Sequence, residues 1–500
     1  MSSPNQQQEI EDQPSRLIVS LVLLLLFASF FALYKSNSAF TSDEVWSVNA
    51  ASLSYRSEME VLKADVHPPL YYQILYLWIR LFGTGERAVR SLSGLFYVLS
   101  VFAVYGIGRT LYGTRTGLLC AAIYLASPLA ILSAQFARMY ALLSLLSILS
   151  SWLYVQFALK QNHSRLVLVG YVLLNSLGTF THIAFFFVLF AQIIFHLLFL
   201  RRTRIMTFAL AVGLSLVPYV FLWAPVLVRQ IGKSSEGIAW VSKPDLAMVG
   251  EVVFLYGGAL WLLIPVLLYL WWRNGFEPLS RFSQLRETSF PLWLFAIAIL
   301  TPLLLSYVKP IFNSRLAIIG LHFFALTMGA IVGSRANKFL SFLLVVLTAI
   351  GLVILHPGIT NCDNRAMATY LSHRASNGDV VIFTSLTRLP IDYYLEQSPL
   401  KKDLFKTTFP SEIDEHPGYE GRITDPSRRT SLEIEGAELI EGLANTRPQN
   451  ASRRIFFFHG AHPAIDSILE KALRERFELL PGEGVKCELS QYFREVSVYR

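Results

Sequence analysis

An adjacent pair of carboxylates, Asp43-Glu44, follows the first long apolar run of the chain, residues 17–34. A carboxylate held beside a membrane surface can take a proton from an attacking group, which is general-base chemistry. The same residues also fit a helix start, because Thr41 and Glu44 have the spacing of a capping box. Adjacent residues on a helix point about 100° apart. The two carboxylates are therefore predicted to have different roles, with capping and catalysis both open.

Cationic and imidazole side chains recur where later apolar runs begin or end. His67 precedes two prolines and Tyr71, Arg138 opens an apolar run, His182 separates two runs, and Arg315 opens a late one. Each has a structural explanation, since prolines start helices, tyrosines favour membrane interfaces and a lone arginine snorkels. The functional interpretation is phosphate binding, to which the guanidinium fork is suited. For each residue taken alone, both interpretations stay open.

The elements that would position these residues are membrane helices. The chain has 500 residues, of which 53% are hydrophobic and 16% charged, and this is not the composition of a soluble globular protein. A span takes roughly 20 apolar residues. Predicted spans are 17–34, 91–111, 117–133, 140–158, 166–181, 183–200, 205–228, 249–272, 290–308, 316–333 and 339–355. The sequence thus predicts a polytopic α-helical membrane protein with about 11 to 13 transmembrane helices.

Charge predicts the orientation. Residues 1–16 carry more acidic than basic side chains, which disfavours a cleaved signal peptide and predicts a cytoplasmic tail. More of the Lys and Arg residues in short loops fall on the side of this tail, which favours the same orientation. The apolar stretch Leu70–Phe82 is short and interrupted by Arg80, so we interpret it as a re-entrant or surface helix. All candidate site residues then lie on the outer face.

The C-terminal part changes composition from about residue 357. Strand-like runs occur at 379–384, 454–458 and 492–499, and helix-like stretches at 363–374 and 463–477. These predict an extracytoplasmic α/β domain over 357–500. Residues 400–430 are interpreted as a long loop, and His459 and His462 as structural. The transmembrane catalytic domain is then 17–356, with an outer loop over 35–90.

Net charge and cysteines exclude some function classes. The chain has a formal net charge of +8, but its Lys and Arg residues lie between apolar runs and form no stripe, so topology explains them better than nucleic-acid binding. The three cysteines lack metal-ligand spacing. Cys120 lies in an apolar run. A pairing of Cys362 with Cys487 in an oxidising compartment stays open.

Together these motifs resemble the GT-C glycosyltransferases of the protein O-mannosyltransferase and aminoarabinose transferase type, above all the bacterial family 39-like membrane proteins. The resemblance covers roughly residues 17–355. Its motifs are Asp43-Glu44, His67–Tyr72 with Leu81–Gly83, Arg87 with Arg90, Gly108–Gly113, Ala137–Leu142, Thr181-His182 and Ser314–Leu316.

The resemblance implies an enzyme of the cell inner (plasma) membrane that moves a sugar from a polyprenyl-phosphate donor to an acceptor on the outer face. The acceptor is a glycolipid, a glycan or a protein, and membrane lipid is the other partner. Asp43 would be the general base and Glu44 would orient the acceptor or the loop. The residues implied in binding the donor phosphate are Arg138, Arg315, His67, His182 and Tyr71.

Two departures from the family pattern bear on metal use. Relatives commonly have Glu where this chain has Phe136, and Arg-Tyr where it has Arg315-Leu316. We therefore expect no metal or other cofactor, with a divalent metal left open. A transporter or flippase for a polyprenyl-linked glycan is the alternative function, and an anchoring protein is another. Intramembrane charges would mark a transport path, whereas the candidate residues here lie at span ends.

Overall fold

The computed structural model describes residues 14–34, 36–64, 67–200, 204–229, 243–258, 261, 286–333, 363–400, 402–414, 426–445, 453–460, 462–486 and 495–500. The chain forms two compact units. We call the first, residues 1–36, 67–226 and 243–356, the helical unit. The second, which we call the mixed unit, comprises residues 37–66, 227–242 and 357–500. The division differs from the predicted domains in two segments, because residues 37–66 and 227–242 group with the C-terminal part.

The bounds of the helices and strands are as follows. The helices are α1 (Pro14–Leu33), α2 (Ser42–Ser52), α3 (Tyr55–Ala64), α4 (Leu70–Phe82), α5 (Glu86–Tyr112), α6 (Thr114–Ala126), α7 (Pro128–Ala134), α8 (Tyr140–Tyr154), α9 (Arg165–Thr179), α10 (Phe185–Phe199), α11 (Ile205–Leu222), α12 (Leu246–Gly257), α13 (Arg286–Leu305), α14 (Ile318–Gly333), α15 (Asn364–Arg374), α16 (Arg388–Gln397), α17 (Arg429–Asn445) and α18 (Pro463–Arg476). The strands are β1 (Val380–Thr384), β2 (Phe405–Phe409), β3 (Ile455–His459), β4 (Val485–Lys486) and β5 (Glu495–Tyr499).

Apolar helices form the helical unit. In the part of the chain that the structure describes, four helices are long and apolar enough to cross a membrane, or five if the bent pair α6–α7 is one span. Shorter apolar helices occur at Leu17–Leu33, Arg165–Thr179, Phe185–Phe199, Leu246–Gly257 and Ser289–Leu305. These match predicted spans. The predicted count of 11 to 13 stays a prediction.

Some predictions concern residues outside the described ranges. They are the span 339–355, most of the second half of 249–272, residues 230–242 of an outer loop, and the pairing of Cys362 with Cys487.

The predicted span over 117–133 is covered by two helices, α6 and α7, with a break between them, and their crossing of the membrane as one span stays a prediction. Helices α6 and α7 meet at an angle of 65°. Ser127 between them is extended, with φ −69° and ψ 125°, because the ring of Pro128 disfavours a helical conformation in the preceding residue. The Ser127 hydroxyl donates to the Leu255 carbonyl at 2.9 Å, so this polar side chain at the break between the two helices has a hydrogen-bond partner.

Helix α4 has the bounds that the sequence predicts for the short apolar stretch. At 13 residues it is too short to cross a bilayer. One side of it buries Tyr71, Tyr72, Leu75 and Ile79, whereas Leu77 and Leu81 are exposed. The helix ends at Gly83, whose φ of +87° is readily adopted by glycine. Its placement at a membrane interface stays a prediction.

The mixed unit is built on a five-stranded sheet in the order β2-β1-β3-β5-β4. Strand β1 pairs in parallel with β2 and β3, and β5 runs antiparallel to β3. Every residue of β1 and β3 is buried, as expected for strands covered on both faces. Val381 and Phe383 face a core formed with α15 and α16, whereas Val380 and Ile382 face one formed with α17 and α18.

This sheet confirms the strand-like runs and both helix-like stretches of the C-terminal part. The prediction that 400–430 is a loop was wrong, because β2 lies within it and extends the sheet beside β1. The sequence of β2, Phe-Lys-Thr-Thr-Phe, is only partly apolar since an edge strand buries less of its surface. A short pattern of this kind is easily mistaken for a loop.

Candidate active site

The acidic pair lies at the start of α2 in the mixed unit. The predicted capping box is confirmed: the Glu44 amide donates to Thr41 Oγ1 at 3.4 Å, and the Thr41 amide donates to Glu44 Oε2 at 3.0 Å. Glu44 is fully buried, whereas Asp43 is half-buried. The two carboxylates therefore have different environments. Glu44 holds the turn, and the roles of both in catalysis stay predictions.

A basic cluster, defined as His67, Arg138 and His182, lies in the helical unit. The imidazole rings of His67 and His182 have their centroids 5.7 Å apart. Arg138 Nη2 lies 3.5 Å from His67 Nε2, so the guanidinium can donate to that ring. Arg138 and His182 are buried and His67 is half-buried. Three of the predicted phosphate-binding residues are thus brought together from distant parts of the sequence.

Turns between helices position this cluster. Arg138 lies between α7 and α8, and the neighbouring Gln135 side chain donates to the carbonyls of Phe31 and Tyr34 at 2.6 and 3.0 Å. These bonds tie the turn to the C-terminal end of α1. The Leu70 amide, at the start of α4, donates to the Phe180 carbonyl at 3.0 Å and so ties the His67 segment to the turn that carries His182.

His182 is a neutral donor. Burial, together with the nearby His67 and Arg138, lowers the pKa of its imidazole to about 3, and burial is the largest of these causes. Its Nδ1 accepts a hydrogen bond of 3.0 Å from the Ala184 amide, so in the neutral ring the proton is on Nε2. The cluster therefore combines one permanent cation with an uncharged N–H donor, a combination that suits an anionic oxygen.

Aromatic rings surround the cluster. The Arg138 guanidinium carbon lies 6.0 Å from the centroid of the Tyr72 ring, and the Tyr140 ring lies 6.1 Å from His182. Phe136 stacks on Tyr140 with an interplanar angle of 9°. The pattern of the sequence did not single out these three rings as site residues. These rings could have been found from the sequence only because they lie close to His67 and Arg138 in the chain.

Two of the predicted phosphate-binding residues, Arg315 and Tyr71, are not part of the basic cluster. Arg315 is exposed, and its guanidinium carbon lies 5.2 Å from the centroid of the Phe136 ring. Tyr71 is fully buried, and its hydroxyl lies 3.3 Å from Ser93 Oγ. The adjacent Tyr72 is the tyrosine that faces Arg138. The roles assigned to Arg315 and Tyr71 stay predictions.

The chain is similar to one known protein family and to several solved structures. A family model described as Dolichyl-phosphate-mannose-protein mannosyltransferase matches residues 66–228. The structure is similar to that of ArnT from Cupriavidus metallidurans bound to undecaprenyl phosphate, with a TM-score of 0.58 and 12% identity over 97% of this chain and 98% of that one. The chain has the GT-C fold.

Other structures share this fold. The Archaeoglobus fulgidus oligosaccharyltransferase in its apo form matches with a TM-score of 0.53 and 11% identity, over 90% of this chain and 70% of that one. The archaeal oligosaccharyltransferase AglB from Archaeoglobus fulgidus, in complex with an inhibitory peptide and a dolichol-phosphate, matches with a TM-score of 0.50 and 11% identity over 89% and 69%. No curated protein matches the chain significantly. The resemblance predicted from the motifs is confirmed.

The two groups of candidate residues differ in whether the family model covers them. The basic cluster lies wholly within the segment that matches the mannosyltransferase family model. Asp43 and Glu44 precede that segment. The assignment of the acidic pair therefore rests on the motif and on its own turn.

Metal binding was considered for the same residues. Among the residues that the structure describes, no group of three or more His, Cys, Asp or Glu side chains is arranged to hold a metal ion. The expectation of a metal-independent enzyme stays a prediction.

Proposed function

We propose that this protein is a membrane glycosyltransferase that moves a sugar from a polyprenyl-phosphate donor to an acceptor on the outer face of the inner membrane. The GT-C fold and the match of residues 66–228 to a mannosyltransferase family model support the proposal. ArnT binds undecaprenyl phosphate and AglB binds a dolichol-phosphate in the structures compared above. A polyprenyl-phosphate-linked sugar is accordingly the proposed donor class.

The observation that carries the proposal is the arrangement of the basic cluster. Arg138 offers a planar guanidinium whose N–H groups can bind two phosphate oxygens at once. His182 adds a neutral N–H, and His67 is within hydrogen-bond distance of Arg138. Such donors stabilise the charge that develops on a departing phosphate. Phosphate binding explains why cationic and imidazole groups from three separate turns converge.

The proposed reaction is a displacement at the anomeric carbon. The acceptor oxygen forms a new bond to this carbon as the bond to the phosphate oxygen breaks, and polyprenyl phosphate leaves with the electron pair. Asp43 is the proposed general base that takes the acceptor proton. Its half-buried position allows solvent contact, whereas the carboxylate of Glu44 is committed to the capping box.

Transport of a polyprenyl-linked glycan is the second candidate function. Buried polar side chains inside the helical unit favour it, since Ser150 donates to Asn175 at 2.6 Å and Gln192 donates to Ser150 at 3.1 Å. These groups are uncharged and bond to one another across helices. Interhelical hydrogen bonds of this kind also serve helix packing, so they support a transport path less well than charged residues would.

The test uses the full-length protein in nanodiscs with a panel of polyprenyl-phosphate sugars and a membrane extract as acceptor. Release of free polyprenyl phosphate is followed for the wild type, Asp43→Asn and Arg138→Ala, with and without a chelator. We expect release by the wild type with one donor class, and a loss of at least about 10³-fold in Asp43→Asn, because the amide cannot accept the proton.

Asp245→Asn is the control for a change of charge, since Asp245 caps α12 by accepting from the Met248 amide. It should retain wild-type release. Failure of the wild type to release lipid phosphate from any donor would contradict the transferase and favour transport. Full activity of Asp43→Asn would remove Asp43 from the role of base.

A further inference from the structure

The segment that leads to Asp43 is held by the C-terminal part of the mixed unit. The Phe40 amide donates to the Tyr394 hydroxyl at 2.7 Å, and the Asn364 side-chain amide donates to the Phe40 carbonyl at 2.8 Å. Both bonds are buried. The backbone N–H and C=O groups of Phe40, three positions before Asp43, are therefore bound by side chains from α16 and α15.

A third bond continues the contact into α2. The hydroxyl of Ser42, the first residue of that helix, donates to the Leu386 carbonyl at 2.7 Å. Leu386 lies in the short turn that follows β1. We call Asn364, Tyr394 and the Leu386 carbonyl the brace. Its bonds flank Thr41, which is the N-cap of the helix that carries Asp43.

Apolar packing reinforces the brace. Phe40 is fully buried, and its ring meets the Tyr393 ring edge-on with centroids 5.7 Å apart. Ala39 packs against the core that β1 shares with α15 and α16. The Arg365 guanidinium carbon lies 5.5 Å from the centroid of the Tyr394 ring.

Local bonds complete the constraint between the brace and Asp43. The Thr41 amide is taken by Glu44, and the Val45 amide donates to the Thr41 carbonyl at 2.9 Å. Ser47 Oγ donates to the Asp43 carbonyl at 2.9 Å. The backbone on both sides of Asp43 is thus fixed, so the direction of its carboxylate depends on where the brace holds Phe40 and Ser42.

We propose that Tyr394 and Asn364 are positioning residues for Asp43, through which the C-terminal α/β fold sets the geometry of the general base. The proposal rests on the proposed function, because it assigns a purpose to the position of Asp43. A base must lie within hydrogen-bond reach of the proton that it takes, and a displacement of about 1 Å can cost on the order of 10²-fold in rate. The C-terminal part therefore contributes to the chemical step through the first loop.

The test compares Tyr394→Phe with Tyr370→Phe in full-length protein in nanodiscs. Tyr370 is a control of the same residue type, since its hydroxyl also bonds to the backbone of the mixed unit: it donates to the Glu483 carbonyl, whereas the Tyr394 hydroxyl accepts from the Phe40 amide. Two quantities are measured: amide hydrogen exchange of residues 37–45, with β1 as the internal reference, and the steady-state constants for the donor.

In Tyr394→Phe we expect exchange over 37–45 to rise at least about 10-fold while exchange in β1 is unchanged, because one buried bond to the segment is lost. We expect kcat to fall about 10-fold with the donor KM within about twofold of the wild type. Asn364→Asp, which places an acceptor against the Phe40 carbonyl, should cause a larger change of the same kind. Tyr370→Phe should alter neither quantity.

Unchanged exchange over 37–45 in both brace variants would overturn the proposal, as would raised exchange with wild-type kcat. A parallel rise of exchange in β1 would show that the whole unit had been destabilised and would also count against a positioning role. A wild type that is inert with every donor would overturn the proposed function and with it the catalytic part of this inference. The exchange measurement would then still decide whether the brace orders the segment.

Discussion

The acidic turn and the basic cluster are built in different ways. Phe40, which leads into the acidic turn, is held by Asn364 and Tyr394, which lie 324 and 354 residues away in sequence. The three residues of the basic cluster lie in turns beside helices of the helical unit, and all three fall inside the segment that matches one family model. The proposed phosphate-binding cluster therefore lies within the helical unit, whereas the proposed base lies in the mixed unit and depends on its C-terminal fold. The variants below test each side of this comparison.

After the loss expected for Asp43→Asn, the largest expected effect is that of a variant in the basic cluster. Arg138→Ala should lower kcat/KM by about 10²- to 10³-fold, the range found when a donor to a developing oxyanion is removed. Arg138→Lys keeps the charge but loses the fork, so it should recover part of this loss. Lipid-phosphate release measures both. Equal activity of the wild type and Arg138→Ala would exclude Arg138 from phosphate binding.

A second prediction separates the two roles of Glu44. Glu44→Gln keeps the acceptor oxygen that the capping box needs, so its activity should stay within about threefold of the wild type. Glu44→Ala removes the box and should lower the free energy of unfolding by about 1–2 kcal/mol. Activity and thermal unfolding are measured together. If Glu44→Gln were as inactive as Asp43→Asn, the Glu44 carboxylate would belong to the chemistry.

The third prediction concerns pH and His182. The pKa of its imidazole is about 3 in the folded protein, below the ordinary value of 6.5. Between these values the unfolded chain binds a proton that the folded protein does not, so stability falls as pH is lowered. The slope contributed by this group is at most about 1.4 kcal/mol per pH unit. Above about pH 6.5 the group contributes no slope.

Thermal unfolding in detergent between about pH 5 and 7.5 measures this slope. His182→Gln should unfold with a shallower dependence on pH, and the difference from the wild type should vanish at the upper end. His373→Gln is the control, because His373 lies in the last turn of α15 in the mixed unit. An unchanged slope in His182→Gln would show that His182 binds protons equally in the folded and unfolded states, which would contradict the lowered pKa.

The smallest effect is expected for Arg315. Its side chain is exposed, and its guanidinium carbon lies 5.2 Å from the centroid of the Phe136 ring. A cation–π contact at an exposed site contributes about 0.5–1 kcal/mol, so Arg315→Ala should lower kcat/KM about two- to fivefold. Phe136→Leu should have a similar effect, and the double variant should be no worse than either. Additive losses would show that Arg315 acts independently of the ring.

Local patterns in the sequence predicted much of the fold and the start of the site. Long apolar runs predicted the helices, and the spacing of Thr41 and Glu44 predicted the capping box that the structure confirms. Strands β1 and β3 are buried on both faces, so their sequences are continuous apolar runs and do not alternate between apolar and polar residues. These runs sufficed to predict the strands. Each of these features depends on residues that are close together in the chain.

Features that depend on distant residues were not predicted. Which of Tyr71 and Tyr72 faces Arg138 depends on the rotation of α4 against helices that follow it. Strand β2 is recognisable only beside β1, since its own pattern is weakly apolar. The brace joins residues whose types are unremarkable on their own, and only the folded chain brings them together. The predicted span 117–133 took no account of Pro128, at which α6 and α7 meet at an angle of 65°.

The distance in sequence between Phe40 and Tyr394 also has a consequence during synthesis. Chains are made at roughly 5–20 residues per second, so the partner of Phe40 is added roughly 20 to 70 seconds after Phe40 itself, given their separation of 354 residues. For that time the first loop exists without the hydrogen bond between Phe40 and Tyr394. The proposed base is therefore fixed in place only after helices α1–α15 have been made, and a nascent chain that stalls before α16 cannot complete the brace.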